Sequence, residues 1–348
     1  MKTLAAVLSE INKPLKIEEL SIPQPRDGQA LVKIAYSGIC HSQLNEIRGL
    51  RGEDKFLPHT LGHEGSGIVE AAGAGVKKVK AGDRVVLTWI KGIGADIPSS
   101  SYKNKDGLTV NSGAISTFMT RTIISENRLV KIPDEMPLRE AALLGCAIPT
   151  GAGIVINMMD ISRRNSIAIF GMGGIGLSAL LAAKIKGASV IIAIDVSEDR
   201  LKQASLFGAT HTLNAANENV IERIMKITDK KGVDYSIESA GRKEVMETAF
   251  KSVHNGGGLC IIAGNLAHGQ TIQMDPFDLI RGKRIIGTWG GQTQPDRDIP
   301  VYTGWALSGK LDLKRLICRT YALKEINGAI DYAEQHAVGR VLIDMGER

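Results

Sequence analysis

Residues 166–195 read SIAIFGMGGIGLSALLAAKIKGASVIIAID, and the order of residue types in this stretch decides how the chain is built. A short apolar run at 166–170 is followed by Gly171, Gly173, Gly174 and Gly176. An Ala- and Leu-rich segment then fades at Gly187, and a second β-branched run at 189–194 ends in Asp195. This is the pattern strand, glycine turn, helix, strand. Gly171 permits a tight turn, Gly173 lets backbone approach a pyrophosphate, and Gly176 lets the new helix pack closely on the strand. The helix N-terminus offers free N–H groups and the positive end of a dipole to phosphates. An acid about 20 residues past the glycines is placed to accept hydrogen bonds from a ribose, so the stretch predicts a dinucleotide-binding βαβ unit with Asp195 at the adenosine ribose.

Outward from this unit, strand and helix patterns go on alternating. Residues 197–209 (SEDRLKQASLFGA) predict a helix with Ser197 as N-cap and Gly208 as its stop. Strands are expected at 234–237, 259–263 and 285–288, with helical patterns at 220–227 and 244–253 between them, which implies a parallel sheet. Before this region the pattern changes. Up to about residue 128 the chain reads as short strands and turns, with β-rich runs at 31–36, 67–71 and 84–88, suggesting a mostly antiparallel, barrel-like domain. Residues 89–116 are polar and rich in Gly, Ser, Lys and Asn and read as a long surface excursion, either an insertion or a pocket wall. A helix at 326–335 and a strand at 340–344 are assigned back to the first domain. The expected division is 1–153 and 291–348 for a catalytic domain in two pieces, with 154–290 as the nucleotide domain between them.

The 348 residues are too many for one ordinary core, and the composition is that of a globular protein. With 43 Lys and Arg against 37 Asp and Glu, dispersed along the chain, no basic stripe points to nucleic acid. The N-terminal apolar run is far too short for a signal core or a membrane span. The four cysteines, Cys40, Cys146, Cys260 and Cys318, are scattered with no Cys-x-x-Cys pair, and a cytoplasmic location without disulfides is the default expectation.

Three polar clusters precede the nucleotide fold: GICHS from Gly38, GHEG from Gly62, and Gly145-Cys146. Two cysteines and a histidine brought together would suit zinc with a fourth position open, the ligand set for which alcohol dehydrogenase is the standard case. Taken singly, Cys40 and Cys146 read equally as small buried hydrophobes and His63 as a hydrogen-bonded core histidine.

Together with GHEGSGIVEAAGAGV at 62, AGDRVV at 81, LLGCAIPTGAG at 143, FGMGGIGLS at 170, GVDYSIESAGR at 232 and VGRVLIDM at 338, these motifs make nearly the whole chain resemble the zinc-dependent medium-chain alcohol dehydrogenase family. The resemblance implies an α/β protein: a Rossmann doubly wound parallel sheet domain plus a mostly β, barrel-like (GroES-like) catalytic domain, with the active site in the cleft between them. It implies one catalytic Zn2+ per chain on Cys40, His63 and Cys146, with Glu64 just behind the metal, and NAD as cofactor. Ser42 matches the hydroxyl that takes the substrate proton, His41 a basic residue reaching the cofactor phosphates, Thr150 a residue beside the nicotinamide, and Trp89 a pocket-lining aromatic. Arg200 matches a base near the adenosine ribose and Arg340 one that contacts the pyrophosphate; both read alternatively as solvated surface charges.

Three departures stand out. The cysteine-rich lobe that holds a second zinc in many members is missing. Gln43 stands where the family usually has an acid supporting the metal-bound histidine, and Asn45 replaces the histidine that often ends the proton relay. The expected reaction is hydride transfer between an alcohol and NAD, with a polyol, sugar or amino-sugar alcohol suggested by the polar excursion after Trp89. Alternatives are a zinc-free quinone or enoyl reductase on the same fold, or a non-catalytic nucleotide-binding protein. No nucleic acid or membrane partner is expected, and the family is typically homodimeric or homotetrameric.

Overall fold

The computed structural model describes residues 1–346, which divide into two compact units: Met1–Cys146 with Gln294–Arg348, and Ala147–Thr293. The division falls at 146/147 and 293/294, not at the expected 153/154 and 290/291. The reason is local. Ala147–Asn157 forms one continuous helix, and Gly151 lets it lie against the helix at Gly174–Lys186, since a Cβ on Gly151 would stand 2.2 Å from the Ile175 carbonyl oxygen. Thr293 Oγ1 donates to the Pro149 carbonyl at 2.7 Å, tying the end of the unit to the same helix.

In the first unit the strands are β1 (Lys2–Leu8), β2 (Lys16–Ser21), β3 (Gln29–Gly38), β4 (His59–Thr60), β5 (Glu64–Ala72), β6 (Arg84–Thr88), β7 (Tyr102–Lys103), β8 (Thr109–Ser112), β9 (Arg121–Ser125) and β10 (Leu129–Lys131). A short helix, α1 (His41–Ile47), follows β3. β1, β2, β7, β8 and β4 close a barrel, and Val7, Leu8, Leu20, Tyr102, Phe118 and Met119 belong to the buried apolar core of this unit.

The excursion after Trp89 is therefore not a surface loop throughout. Its strands β7 and β8 complete the barrel, and Tyr102 is fully buried with its hydroxyl accepting the Ile123 N–H at 2.9 Å. The segment leading to β7 is held by Glu126, whose Oε1 accepts from Ala95 N at 2.9 Å while Oε2 accepts from Lys77 N at 2.9 Å and Lys78 N at 3.3 Å.

The second unit contains α2 (Ala147–Asn157), β11 (Ser166–Phe170), α3 (Gly174–Lys186), β12 (Val190–Asp195), α4 (Glu198–Phe207), β13 (His211–Asn214), α5 (Val220–Ile227), β14 (Tyr235–Glu238), α6 (Lys243–Ser252), β15 (Leu259–Ile262), α7 (Pro276–Ile280) and β16 (Arg284–Gly287). All its strand pairs are parallel, in the order β13-β12-β11-β14-β15-β16. That is the doubly wound arrangement whose strand order reverses at the first strand, where dinucleotides bind. The central strands are near-continuous apolar runs because helices cover both faces, and Phe170, Ile192, Ile194, Leu213 and Phe250 form part of the core. Ser197 caps α4 by accepting from Arg200 N, and Gly208 ends it with φ +111°.

The chain then adds α8 (Pro295–Leu307), α9 (Leu313–Leu316), β17 (Ile317–Ala322), α10 (Ile326–Gln335) and β18 (Arg340–Asp344) to the first unit. β18 pairs antiparallel with the end of β3 and parallel with β17, completing a second sheet in the order β10-β6-β5-β3-β18-β17, with β9 also on β3. This sheet positions the residues of greatest chemical interest.

Candidate metal and nucleotide sites

Cys40 leaves the end of β3 as the N-cap of α1. β18 holds that end in place: the Ile39 N–H donates to the Val341 carbonyl at 3.0 Å. His63 stands just before β5, whose first carbonyl, that of Glu64, accepts from Ser37 Oγ at 3.0 Å and Thr117 Oγ1 at 3.1 Å. Gly62 before it has φ +93°, and a Cβ there would stand 2.4 Å from Thr117 Oγ1, so only glycine lets the chain enter β5 at this angle. Cys146 is delivered by Gly145, whose carbonyl accepts from Thr88 Oγ1 at 2.7 Å and whose Cβ position lies 2.4 Å from the Leu87 carbonyl oxygen.

The outcome is a convergence of the two thiols and the imidazole, with the ligand atoms of Cys40, His63 and Cys146 all within 4.8 Å of one another. Both cysteines are buried. His63 Nε2 faces Cys146 Sγ at 3.3 Å, and its ring meets Trp89 edge-on, centroids 6.4 Å apart. Two soft sulfurs and one imidazole at this spacing fit zinc, and three donors leave one tetrahedral position for another ligand.

The electrostatics suit a cation. A hydrogen bond from Cys146 holds Cys40 well below the usual thiol range; burial opposes this, and Arg340 and His63 reinforce it. Cys146, hydrogen-bonded to Cys40, buried and facing Glu64, is pushed well above that range.

Glu64 does not join the ligand group. Its carboxylate is fully buried, with Oε1 2.7 Å from Arg340 Nε, and it fills the space where a side chain on Gly38 would be. Of the two readings of Arg340, the solvated surface charge is excluded, since the residue is 7% exposed. It is buried at the start of β18, donating from Nη1 to the Ile39 carbonyl at 3.1 Å. Burial works against its charge but is outweighed by Glu64, Cys40 and Cys146, which raise its pKa further. A positive charge beside the sulfurs of Cys40 and Cys146 was not readable from sequence, because the pairing of β18 with β3 brings together residues some 300 apart in the chain.

Ser42 lies two residues beyond Cys40 on α1, and its Oγ is buried without a hydrogen-bond partner. His41, the first residue of α1, is exposed. A second convergence, Glu46, Asp54 and His59, went unnoticed in the sequence. It is closed by its own contacts: His59 Nε2 lies 2.8 Å from Asp54, His59 Nδ1 donates to the Thr60 carbonyl at 3.2 Å, and Arg51 pairs with Glu46 at 3.3 Å.

In the second unit the glycines of the turn differ in what they require of the backbone. Gly171 takes φ +91°, and a Cβ on Gly176 would stand 1.8 Å from the Gly171 carbonyl oxygen. A Cβ on Gly173 would meet nothing within 4 Å, so the N-terminus of α3, which starts at Gly174, opens onto free space where backbone N–H groups can reach a phosphate. Asp195, at the end of β12, accepts from Met172 N at 2.7 Å and Ser197 N at 3.0 Å, with Arg200 Nη1 at 3.8 Å. Thr150 on α2 is buried, and its Oγ1 has no hydrogen-bond partner.

Residues 26–134 match the alcohol dehydrogenase GroES-like domain family and residues 174–305 the zinc-binding dehydrogenase family. Over an alignment 357 positions long, gaps included, the chain is 34% identical to S-(hydroxymethyl)glutathione dehydrogenase of Synechocystis sp., with 95% of this chain and 96% of that protein covered. The chain belongs to the zinc-dependent medium-chain alcohol dehydrogenase family. The Paracoccus denitrificans S-(hydroxymethyl)glutathione dehydrogenase is 32% identical over 95% of this chain and 96% of its own. Among solved structures, benzyl alcohol dehydrogenase from Acinetobacter calcoaceticus superposes with a TM-score of 0.90 at 32% identity, covering 99% of this chain and 100% of that one. A zinc-binding-domain alcohol dehydrogenase from Burkholderia ambifaria gives 0.91 at 32% identity over 100% of both chains. As a family member the protein is an oxidoreductase of alcohols that uses zinc and a nicotinamide dinucleotide. Among the described residues no single helix is long and apolar enough to cross a membrane.

Proposed function

We propose that the protein interconverts an alcohol and its carbonyl compound with NAD, using Cys40, His63 and Cys146 to hold zinc and Ser42 to take the proton. The observation that carries this reading is the three-donor convergence with an unpartnered, buried hydroxyl two residues from one ligand. Bound there, zinc would supply Lewis acidity toward the alcohol oxygen, and NAD a hydride acceptor. The chain's own part is to orient and to move protons. Ser42 Oγ takes the hydroxyl proton of the alcohol while passing its own on toward water, and Arg340 keeps positive charge behind the sulfurs. Gly171, Gly173, Gly174 and Gly176 cradle the pyrophosphate, and Asp195 accepts from the ribose hydroxyls.

The polyol expectation rested on Trp89 together with the polar excursion after it, and several of the excursion's polar groups are engaged elsewhere. Asn104 Oδ1 accepts from Asp106 N and Leu108 N, each at 3.0 Å; Asn111 Nδ2 donates to the Phe56 carbonyl at 2.8 Å; Ser112 Oγ bonds the Ser100 carbonyl. What stands beside His63 is the indole of Trp89. An alcohol carrying an apolar, aryl or alkyl group is therefore favoured, in keeping with the name of the benzyl alcohol relative. NADH formation with aryl, alkyl and polyhydroxylated alcohols tests this. At least a ~10-fold advantage in kcat/KM is expected for the aryl or alkyl class, and efficient turnover of polyols alone would overturn it.

A homo-oligomer is also proposed. What supports it is that β16 is a sheet edge with Ile286 exposed, and that Phe277, Ile280 and Trp289 nearby in sequence are exposed as well.

A further inference from the structure

Gln43 is the third residue of α1, and its Oε1 accepts the Cys40 backbone N–H at 3.0 Å, one half of a capping box. That bond fixes which way the amide faces: with Oε1 on Cys40, Nε2 is left on His63 Nδ1, and the two are hydrogen-bonded. An amide nitrogen carries only donor hydrogens, so His63 Nδ1 must be the acceptor, and the proton of the neutral ring sits on Nε2. Nε2 in turn faces Cys146 Sγ at 3.3 Å, an acceptor. Every group in this chain of contacts, Cys40 N–H, Gln43 amide, His63 ring and Cys146 sulfur, is satisfied without metal.

The same arrangement conflicts with metal on Nε2. A neutral imidazole that ligates through Nε2 keeps its proton on Nδ1, where it would meet the Gln43 NH2, donor against donor. Turning the amide by half a turn gives Nδ1–H an acceptor but sets NH2 against the Cys40 N–H, which then has none. A carboxylate of the same length has two acceptor oxygens and would satisfy both at once.

We propose that Gln43 is a positioning residue that stabilises the metal-free form of the site through the His63 tautomer, so that zinc binds more weakly and leaves more readily than an isosteric carboxylate would allow. The proposal rests on zinc being held by Cys40, His63 and Cys146.

Gln43→Glu is the isosteric test. In competition with a chromophoric zinc chelator, the Glu variant should hold zinc about 10- to 100-fold more tightly than the wild type, the range that partners of a metal-bound histidine control. Nitrogen-15 NMR of the His63 ring gives a second readout that needs no variant: in the metal-free wild type the proton should be on Nε2, and zinc should move it to Nδ1. Equal zinc affinities in wild type and variant, or a metal-free ring already protonated on Nδ1, would overturn the role of Gln43. Failure of both proteins to bind stoichiometric zinc would instead overturn the metal site on which it rests.

Discussion

Ser42 and Asn45 lie three residues apart on α1, one with an unpartnered buried hydroxyl and the other with an amide that does not titrate. If Ser42 takes the alcohol's proton, Ser42→Ala should lower kcat roughly 10²-fold with little change in NAD affinity, whereas Asn45→Ala should leave the rate nearly unchanged. Stopped-flow hydride transfer together with NAD titration checks both, and full activity of the serine variant across neutral pH would remove Ser42 from the path. In the other unit, the proposed reading makes Asp195 the residue that discriminates between dinucleotides. Its carboxylate at the end of β12 would repel a 2′-phosphate, and Arg200, the nearby base, already faces it. NAD should be preferred over NADP by at least ~10-fold in kcat/KM, about 1.4 kcal/mol, and Asp195→Ser should narrow the gap. Equal efficiency with both cofactors in the wild type would contradict this.

A buried carboxylate, that of Glu126, is one of the groups that hold the segment before β7. Burial raises the pKa of Glu126, but the N–H groups of Ala95, Lys77 and Lys78 and the charge of Lys78 outweigh it and hold the group below the usual glutamate range. A depressed folded pKa contributes stability that is present above the unfolded value of about 4.3 and is lost as pH falls through the lower folded one. Glu126→Ala should therefore cost about 2 kcal/mol near neutral pH, by leaving three backbone donors without their acceptor. In urea titrations the difference from wild type should shrink below about pH 4, and a pH-independent difference would rule the mechanism out. This same region shows where the sequence stopped being readable. β6, β11 and α10 were legible to the residue, because each carries its own branched or periodic run between clear stop signals. β7 and β8 were not, because strands of two and four residues have no pattern of their own and exist only through pairing with β2 and β4. The site divided along the same line. Cys40, His63 and Cys146 sit in motifs, whereas the placing of Arg340 against Glu64 depends on which strands become neighbours.

For the molecule as a whole, one zinc per chain is expected. Cys260 is fully buried, and burial pushes its thiol up to about 12; Cys318 is also raised by burial; and the Glu46, Asp54 and His59 group is closed by its own ion pairs. Elemental analysis should return one tightly held ion, and two would refute the count. Because all three ligands lie in the first unit, stripping the metal should lower the stability of that unit by about 2.7 kcal/mol where free zinc had stood at 100 times its Kd, and leave the nucleotide unit little changed. Calorimetry with and without chelator would show it. The pairing of β18 with β3 also bears on how the chain is made. Residues 147–293 form a unit of their own, and as a ribosome releases them they have every strand of their sheet in hand. The first unit begins earlier but cannot close, since the strand beside Gly38 and the arginine behind the metal-ligand sulfurs lie at 340–344. At typical synthesis rates the middle of the chain has several seconds to fold while the flanking unit still waits for its last strand. A nascent chain therefore exposes Cys40 and Cys146 without their counter-charge until residues 340–344 have emerged, and metal capture at the proposed site would wait for that strand.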